Sequence, residues 1–522
     1  MAPARKSLPI GIQTFREIRD ENYYYVDKTG FALRLVREGK YYFLSRPRRF
    51  GKSLFLDTLA ELFEGNEALF RGLVCHDQWD WSVQHPVIRI SFGGGVLKDA
   101  NLLAQRINHQ LLKHLRKFGV SDLPEGPIAN RFETLIQETA RLHDRRVVVL
   151  VDEYDKPILD NLTQPEAAQE MRDELRNLYS VIKDCDAYIR FAMLTGVSKF
   201  SKVSLFSGLN NLDDITLDRD YSAVCGYTDA DVETVFAPEL GGLDRGQVRR
   251  WYNGYNWNGE AVYNPFDLLL LFKKRDFRPY WFETATPTFL VDLLTTRQTF
   301  LPNLGQLVAT DALLSSFDVD HIAIEALLFQ TGYLTVDSVD EKLGERMYRL
   351  RYPNQEVSRS LHSALLLAWA AAGNAQPVLK QRTKLQELLL SADFAGLHRL
   401  FTAFFASIPN DWFRNNSIAR YEGYYASVFY AYFASLGLDL TPEESSNAGR
   451  LDMALRFNGQ IWLFEFKVIE SAGAGSALAQ LLEKDYAARY RAEGMPIHLI
   501  GVEFSREQRM VVNFAVETLT PA

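Results

Sequence analysis

The chain has 522 residues, a formal net charge of −8, 47% hydrophobic residues and 24% charged residues. Single hydrophobic cores rarely grow beyond about 250–300 residues, so this length predicts about two to four domains. The sequence excludes a membrane span, because no window holds the roughly 18 consecutive apolar residues that a span requires. The first residues include basic side chains but no apolar run behind them, unlike a secretory signal. We therefore expect a soluble protein without a membrane partner.

Cysteine and histidine usage limits the compartment and the metal chemistry. Cys75, Cys185 and Cys225 are odd in number and far apart, which supports neither a disulfide framework nor a thiolate metal site. His109 and His114 are closely spaced but lack the paired cysteines of a zinc finger. We expect a cytoplasmic protein in which carboxylates hold any metal. Because the net charge is negative, nucleic-acid binding would need a local basic surface.

Shifts of pattern predict three parts, at residues 1–225, 226–410 and 411–522. In the first part, short apolar runs alternate with amphipathic helical stretches, which is typical of an α/β fold with a parallel sheet and helices on both faces. The predicted strands are Tyr41–Leu44, Val87–Ser91, Val147–Val151 and Phe191–Leu194.

A phosphate-binding loop is predicted where the strand Tyr41–Leu44 ends. The Gly-Lys-Ser sequence Gly51–Ser53 follows, and an apolar helix begins at Leu54. Backbone N–H groups at a helix start bind phosphate oxygens, the lysine reaches the β- and γ-phosphates, and the serine hydroxyl can ligate Mg²⁺. Arg46 occupies the position of the usual first glycine. The alternative is a chance Gly-Lys-Ser sequence at the start of a helix.

A second run completes the predicted nucleotide site. The apolar strand Val147–Val151 ends in Asp152 and Glu153, and two acids there are costly to bury without a cation. In a P-loop ATPase the first acid supports Mg²⁺ and the second polarises the attacking water, and we expect these roles for Asp152 and Glu153. Thr195 follows the strand Phe191–Leu194 and is either a sensor of the γ-phosphate or a cap.

The middle part is mostly helical by pattern and contains the aromatic stretch Trp251–Trp257. It could form a winged-helix-like lid on the nucleotide or a DNA-reading surface. The alternative is a plainly packed core, which is favoured because aromatic residues at helical spacing are usually buried.

The last part predicts a compact α/β unit of its own. A long aromatic helix, Arg420–Leu436, precedes two strands joined by a tight turn. A further helix near Ala477–Glu493 and a last strand, Ile497–Glu503, follow.

The two strands of that unit form a hairpin around Asn458-Gly459, a strong signal for a two-residue turn. With that turn, Asp452 lies opposite Glu465, and Lys467 projects from the same face. A divalent cation would relieve the repulsion of the two acids, and the lysine could stabilise charge on an attacked phosphate. The alternative is an exposed hairpin edge on which the lysine pairs with Glu465. The apolar flanks of the second strand favour an interior position.

Five motifs occur in this order along the chain: Tyr25–Thr29 (YVDKT), Arg46–Leu54 (RPRRFGKSL), Val151–Pro157 (VDEYDKP), Leu194–Ser201 (LTGVSKFS) and Leu328–Leu334 (LFQTGYL). Together they resemble the AAA-ATPase-like family of bacterial and archaeal proteins. Members of that family typically carry a PD-(D/E)xK nuclease-superfamily domain at the carboxyl terminus, and they tolerate arginine at the first P-loop glycine.

The resemblance implies a P-loop ATPase sheet, a helical middle and a restriction-endonuclease-like α/β domain. The residues expected to bind ATP are Arg49, Phe50, Gly51, Lys52, Ser53, Leu54, Asp152 and Thr195. Ser53 and Asp152 are the expected Mg²⁺ ligands there, and Glu153 is the expected catalytic base.

In the nuclease-like domain, Asp452, Glu465 and Lys467 are similar to the PD-(D/E)xK signature. The two acids are expected to hold Mg²⁺ or Mn²⁺. Glu422 matches the leading acid of the signature, and Gln480, with Lys484 and Tyr486 behind it, matches the polar residue of the following helix.

Several basic residues have open roles. Arg46, Arg48 and Arg49 are interpreted as phosphate ligands rather than nucleic-acid contacts. The sequence does not choose an arginine finger, and Arg190, Lys199 and Lys202 are its candidates. The oligomeric state stays open as well, a homo-oligomer included.

Two functions follow from these patterns. In the first, ATP binding or hydrolysis gates the cleavage of DNA or RNA. In the second, the ATPase part is a nucleotide-controlled switch, and the nuclease-like part only binds nucleic acid or protein partners. The intact Asp452, Glu465 and Lys467 favour the first.

Overall fold

The computed structural model describes residues 5–162, 164–199, 211–285, 290–291, 293–294, 301–314, 323–342, 344–369, 375–407, 422–446, 449–469, 475–505, 507–508 and 510–521. The chain divides into two compact units. The first is Met1–Ala285 with Val308–Asn354, and the second is Thr286–Leu307 with Gln355–Ala522. Both units take residues from the middle part, and the division at residues 225 and 410 stays a prediction. Among the described helices, none has the length and apolar character that crossing a membrane would require.

A parallel sheet forms the centre of the first unit. Within the described residues it has five strands: β1 Tyr41–Ser45, β2 Val87–Ser91, β3 Val147–Asp152, β4 Ile189–Gly196 and β5 Asp213–Asp214. Their order is β2-β3-β4-β1-β5, and every neighbouring pair is parallel. The predicted parallel sheet is confirmed. Since the strands run the same way, the ends of β1, β3 and β4 meet at one edge, where parallel sheets bind ligands.

The described helices of the first unit are α1 Phe15–Asp20, α2 Thr29–Glu38, α3 Lys52–Phe63, α4 Ala100–Phe118, α5 Ile128–His143, α6 Lys156–Leu159, α7 Pro165–Asp184, α8 Asp229–Val235, α9 Arg245–Tyr252, α10 Pro265–Lys274, α11 Tyr280–Ala285, α12 Asp311–Leu314 and α13 Ile324–Thr331. Helix α3 packs on β3 and β4, while α4 and α5 pack on β2 and β3. The α/β fold class is confirmed.

A small antiparallel sheet also belongs to the first unit. Its strands are β6 Val308–Thr310, β7 Thr335–Lys342 and β8 Glu345–Arg351, in the order β6-β8-β7. The mostly helical pattern expected for the middle part missed it. Strand β7 carries polar residues at many positions, so it lacks the alternation that reveals a half-buried strand.

The aromatic stretch Trp251–Trp257 lies inside the first unit. Tyr252 and Tyr255 are fully buried and Trp257 is 3% exposed. The rings of Tyr255 and Trp257 contact Phe50 of the predicted phosphate loop, with centroids 4.7 and 5.3 Å away. The packed-core interpretation is therefore confirmed for these side chains, and they support the loop from behind.

The second unit is built on a mixed sheet. Its described strands are β9 Asp439–Ser446, β10 Gly449–Phe457, β11 Gln460–Ile469, β12 Ile497–Ser505 and β13 Met510–Leu519, in the order β13-β12-β11-β10-β9. Strands β11 and β12 are parallel, and the other neighbouring pairs are antiparallel. The expectation that Ile497–Glu503 is the last strand is wrong, because β13 follows it.

The described helices of the second unit are α14 Gln355–Trp369, α15 Ala375–Leu390, α16 Phe394–Ser407, α17 Glu422–Ser435 and α18 Ser476–Glu483. The helix predicted near Ala477–Glu493 is shorter than expected. Asp485 adopts a positive φ of 43° after α18, and a 3₁₀ helix covers Tyr486–Glu493.

Strand β11 separates two kinds of side chain. Phe464 and Phe466 pack against α17, where their rings lie 5.4 Å from Phe433 and 5.0 Å from Phe429. Successive side chains of a strand point to opposite faces, so Glu465 and its next-but-one neighbour project from the other side. Helix α17 therefore packs on one face of β11, and Glu465 projects from the other face, where Ile461 and Leu463 pack with Leu481 of the helix Ser476–Glu483.

Candidate nucleotide and metal sites

The loop between β1 and α3 has the backbone of a phosphate cradle. Gly51 precedes the first turn of α3 with a φ of 93°, and Arg49 has a φ of 71°. These left-handed residues turn the chain so that α3 begins at the edge of the sheet. The first N–H groups of a helix lack intrahelical partners and attract anions.

Lys52 is folded back onto this loop. Its ammonium group donates to the carbonyl oxygens of Arg46 at 2.8 Å and Pro47 at 2.9 Å. The side chain is buried, which lowers its pKa, although the nearby Asp152 carboxylate opposes that effect. The lysine thus holds the loop closed with two charge-assisted hydrogen bonds.

Arg46 is a structural residue and not a phosphate ligand, so the sequence interpretation of this side chain is wrong. It has 0% exposure. Its guanidinium donates to the carbonyl oxygens of Ser45, Thr216 and Tyr221 at 2.8, 2.9 and 3.1 Å, and lies 4.2 Å from the centre of the Trp257 ring. Burial lowers its pKa to about 10. The side chain points into the protein, where it ties β1 to a distant segment.

The other two loop arginines differ from Arg46. Arg48 and Arg49 are exposed and border a cavity of about 570 Å³. The Arg49 guanidinium lies 4.5 Å from the centre of the Phe266 ring. Both remain candidates for binding phosphate.

That cavity is lined by the phosphate loop and by a set of apolar residues. Loop residues 48–55 line it together with Glu153, Lys156 and Asp160. The lining also includes a set of apolar and aromatic residues, called here the apolar wall: Pro9, Ile12, Ile18, Tyr24, Tyr25, Val26, Tyr227, Pro265, Phe266 and Leu269. The phosphate-loop residues could be found from motifs, and Tyr25 and Val26 of the wall belong to the motif Tyr25–Thr29. The other wall residues could not be assigned to one site, because they come from segments far apart in the sequence.

Thr195 contacts one of the predicted acids. Its hydroxyl donates to Asp152 Oδ1 at 2.8 Å, and its side chain is fully buried at the end of β4. Strands β3 and β4 are neighbours, so the two residues meet where both strands end. The threonine therefore orients the carboxylate, and a sensing role for it stays a prediction.

Glu153 borders the cavity and has an altered acidity. Burial raises its pKa, and the neighbouring Asp152 raises it further, while Lys52 and Arg48 act in the opposite direction. Its backbone has a φ of 53°. A Cβ atom at Gly93 would lie 3.4 Å from Glu153 Oε2, so the carboxylate rests directly on the loop that follows β2. A carboxylate with raised pKa at a cavity wall is suited to accept a proton.

Asp155 was not singled out from the sequence and proves to be structural. It is 1% exposed and accepts hydrogen bonds from the Val197 N–H at 2.9 Å and from the Ser198 N–H and hydroxyl at 2.6 Å each. It therefore fixes the loop after β3 to the loop after β4. Both loops belong to the motifs Val151–Pro157 and Leu194–Ser201, and these motifs are the sequence signal that could have pointed to Asp155.

The three candidates for an arginine finger lie in different parts of the chain. Lys199 forms an ion pair with Asp214. Arg190 lies near the start of β4, at the edge of the sheet opposite the phosphate loop. Lys202 lies outside the described residues.

The hairpin register is as predicted for the pairs from Phe457–Gln460 to Met453–Phe464, but the predicted pair Asp452–Glu465 is not among them. The exposed-edge interpretation is wrong, because β11 lies between β10 and β12. Beyond Met453, Asp452 Oδ2 accepts the Phe466 N–H at 2.8 Å. Beyond the last strand pair, the Asp452 side chain thus satisfies the backbone N–H of Phe466 on β11.

The other predicted residues of this site are close to helix α18. Glu465 is 4% exposed and accepts a hydrogen bond from the Gln480 side chain. The Lys467 ammonium donates to the Ser476 carbonyl at 3.3 Å. The structure thus brings Gln480 to the acid, as the signature implies, and places the lysine beside the start of the helix.

The donor set suits a hard cation. Asp452 and Glu465 offer carboxylate oxygens from adjacent strands, which Mg²⁺ and Mn²⁺ prefer. Among the described residues, no group of three or more His, Cys, Asp or Glu side chains gathers around a point. Glu422 begins α17, but its side chain is outside the described ones.

Comparison with known proteins defines the class. Residues 9–206 match the family described as "Predicted AAA-ATPase", and residues 420–514 match the PD-(D/E)XK nuclease superfamily. The chain is 65% identical over 517 residues to the "uncharacterized protein in vnfD 5′ region" of Azotobacter chroococcum mcd 1, covering 99% of this chain and 100% of that relative. The chain belongs to this AAA-ATPase-like family and carries a PD-(D/E)XK nuclease-superfamily domain.

Restoring the usual first glycine of the P-loop should harm the protein. Arg46→Gly removes the donors to the Thr216 and Tyr221 carbonyls and leaves a void on Trp257, so we expect unfolding free energy to fall by about 3 kcal/mol or more. Denaturant unfolding measures this. Arg49→Gly is the matched control and should be nearly neutral, because that arginine is exposed with positive φ. Equal stability of wild type and Arg46→Gly would contradict the structural role.

Proposed function

We propose that the first unit binds and hydrolyses ATP with Mg²⁺, and that ATP gates phosphodiester cleavage of DNA or RNA by the nuclease-like domain. The observation that carries the ATP part is the cavity of about 570 Å³, in which the phosphate loop, Glu153 and an apolar wall adjoin. Membership of the two families supports both the ATPase activity and the nuclease activity. The proposal that ATP gates cleavage rests on the presence of both domains in one chain.

The phosphate loop and the ends of β3 and β4 supply the groups that a nucleoside triphosphate needs. Backbone N–H groups at the start of α3 and the Lys52 ammonium would hold the phosphates. Ser53 and Asp152 would hold Mg²⁺, with Asp152 oriented by Thr195. When bound, Mg²⁺ neutralises charge on the phosphate oxygens.

The apolar wall supports a nucleotide over free phosphate. Tyr24, Tyr25, Val26, Phe266 and Leu269 line the cavity. Ligand pockets combine such apolar walls with a few polar groups that fix orientation. We assign the adenine to this wall.

Glu153 would act on the attacking water. Its raised pKa and its place beside the loop suit a group that takes a proton from water during hydrolysis.

In the second unit, Asp452 and Glu465 would hold Mg²⁺ or Mn²⁺, which supplies charge stabilisation on the scissile phosphate. Gln480 orients the Glu465 carboxylate by its hydrogen bond. Lys467 lies two residues beyond Glu465 on the same face and would stabilise the negative charge that develops on the phosphate.

A second candidate is a nucleotide-controlled switch whose nuclease-like domain binds nucleic acid or partners without cleaving. One observation favours it. Asp452 already accepts the Phe466 N–H at 2.8 Å, so part of its capacity as an acceptor serves the backbone.

ATP binding should depend on Lys52. Lys52→Ala removes the buried ammonium group of the phosphate loop, and we expect ATP affinity with Mg²⁺ to fall about 10-fold or more. Isothermal calorimetry measures it. Lys113→Ala, on the exposed side of α4, is the control and should bind like wild type. ATP binding that is unaffected by Lys52→Ala would refute the site.

Glu153→Gln should slow hydrolysis about 100-fold or more while ATP still binds, because the amide keeps the shape but accepts no proton. Without nucleotide the variant should be more stable at neutral pH. A raised folded pKa means that ionised Glu153 destabilises the fold; this penalty is absent below its ordinary pKa of 4.5 and grows as pH rises through the folded value. Thermal unfolding between pH 4 and 8 and single-turnover hydrolysis test both statements. Wild-type turnover in the variant would assign the base elsewhere.

Two substitutions in the second unit should differ in kind. Asp452→Asn can keep the Phe466 hydrogen bond through its amide oxygen, so the metal-free fold should be nearly unchanged, while Mn²⁺ binding and cleavage should be lost. Lys467→Ala should retain Mn²⁺ and lose cleavage about 100-fold. Thermal shifts with and without Mn²⁺, alongside cleavage of single- and double-stranded DNA and RNA with and without ATP, measure this.

Glu483→Gln, an exposed change on α18, is the control for both variants. If Asp452→Asn destabilises the metal-free fold and leaves cleavage intact, the acid is only a structural partner.

A further inference from the structure

Glu503 is a second buried acid beside the candidate metal site, and it was not part of the sequence signature. It lies on β12 with 0% exposure. One carboxylate oxygen accepts the Ser476 hydroxyl at 2.7 Å and the Ala477 N–H at 3.1 Å. The other accepts the Gly475 N–H at 3.1 Å and the Asn513 side-chain amide at 3.0 Å.

These contacts make Glu503 the cap of helix α18. The residue that precedes the helix, Gly475, has no side chain to satisfy the first N–H groups, and Glu503 supplies the acceptor from a neighbouring strand. Burial raises the pKa of Glu503, but the hydrogen bonds, led by that of Ser476, together hold it below its ordinary value. The group is therefore a charged carboxylate at the positive end of a helix.

The strand that carries Glu503 also fixes how closely the helix approaches. A Cβ atom at Gly501 would lie 2.3 Å from the Leu478 backbone nitrogen, so α18 rests directly on the backbone of β12. In the β11–β12 register, Glu465 pairs with Gly501 and Lys467 pairs with Glu503. Gly501, which contacts the backbone of α18, thus lies beside Glu465, and Glu503, which caps the helix, lies beside Lys467.

Helix α18 reaches back to the same two residues of β11. Gln480 donates to Glu465, and the Ser476 carbonyl accepts the Lys467 ammonium at 3.3 Å. Ser476 consequently contacts Glu503 through its hydroxyl and Lys467 through its carbonyl. A shift at the start of the helix would disturb both contacts with β11.

We propose that Glu503 is a positioning residue for the candidate cleavage site. It holds α18 against β12 so that Gln480 orients Glu465 and the Lys467 ammonium stays beside the acids. The inference rests on the proposed cleavage function of this domain. Glu503 acts through the helix and not as a metal ligand, because four donors already occupy its two oxygens.

Glu503→Gln tests the proposal. Its amide nitrogen would face the Gly475 N–H or the Ser476 and Ala477 donors, so at least one capping bond is lost. We expect kcat for cleavage to fall about 10- to 100-fold with little change in KM, and Mn²⁺ affinity to fall with it. Hydrogen exchange of residues 475–483 should accelerate in the same variant.

Three further variants separate position from stability. Ser476→Ala removes one capping bond and should give a smaller loss of the same kind. Gly501→Ala pushes the helix away without touching Glu503 and should reproduce the fall in kcat. Glu517→Gln removes an exposed acid from β13 in the same sheet and should behave like wild type.

The outcomes distinguish the inference from the function on which it rests. If wild type cleaves and Glu503→Gln exchanges faster at 475–483 but keeps its kcat and Mn²⁺ affinity, the residue is only a cap and the inference is overturned. If Glu503→Gln does not fold, an unchanged kcat in the folded Ser476→Ala and Gly501→Ala variants overturns it. If wild type itself cleaves nothing, the proposed function fails, and equal Mn²⁺ affinity of wild type and Glu503→Gln overturns the inference separately.

Discussion

Buried carboxylates, on central strands or in the loops directly after them, are the constraint on which both units depend. A buried carboxylate that lacks hydrogen-bond donors costs several kcal/mol, so each must be matched by donors from a neighbouring element. Asp155 receives them from the loop after β4, and Glu503 receives them from the start of α18. Glu465 receives one from the Gln480 side chain. The same bonds that satisfy the charges fix the loops and the helix around the candidate sites.

Much of the architecture could be predicted because it is written in local patterns. The strands β1 to β4 contain short runs that are mostly apolar, and the Asn458-Gly459 turn determined the register of β10 and β11. Strands β7 and β13 escaped prediction, because partly exposed edge strands need no continuous apolar run. Their position is decided by the strand they pair with.

The candidate sites divide in a similar way. Residue types with fixed chemistry, such as Lys52 and Glu465, could be found from motifs. The role of Arg46 could not, because its acceptors on Thr216 and Tyr221 are 170 and 175 positions away along the chain. Glu503 was missed for a related reason, since a cap supplied by a separate strand leaves no signal at the start of the helix. The roles of Arg46 and Glu503 depend on contacts with residues distant in the sequence, and the residue type alone does not reveal those contacts.

In the folded-back position of Lys52, the carbonyl oxygens of Arg46 and Pro47 compete with a phosphate ligand for the ammonium group. An incoming phosphate must take the ammonium from the carbonyls of Arg46 and Pro47, and hydrogen bonds to a charged group are worth about 1.5–3 kcal/mol each. A small anion can offset the loss of these hydrogen bonds only through its electrostatic attraction to the loop. A ligand that also covers the apolar wall of the cavity has a second source of binding free energy. If the first unit hydrolyses ATP as proposed, these two hydrogen bonds of Lys52 would favour binding of the intact nucleotide over binding of free phosphate, the product of hydrolysis.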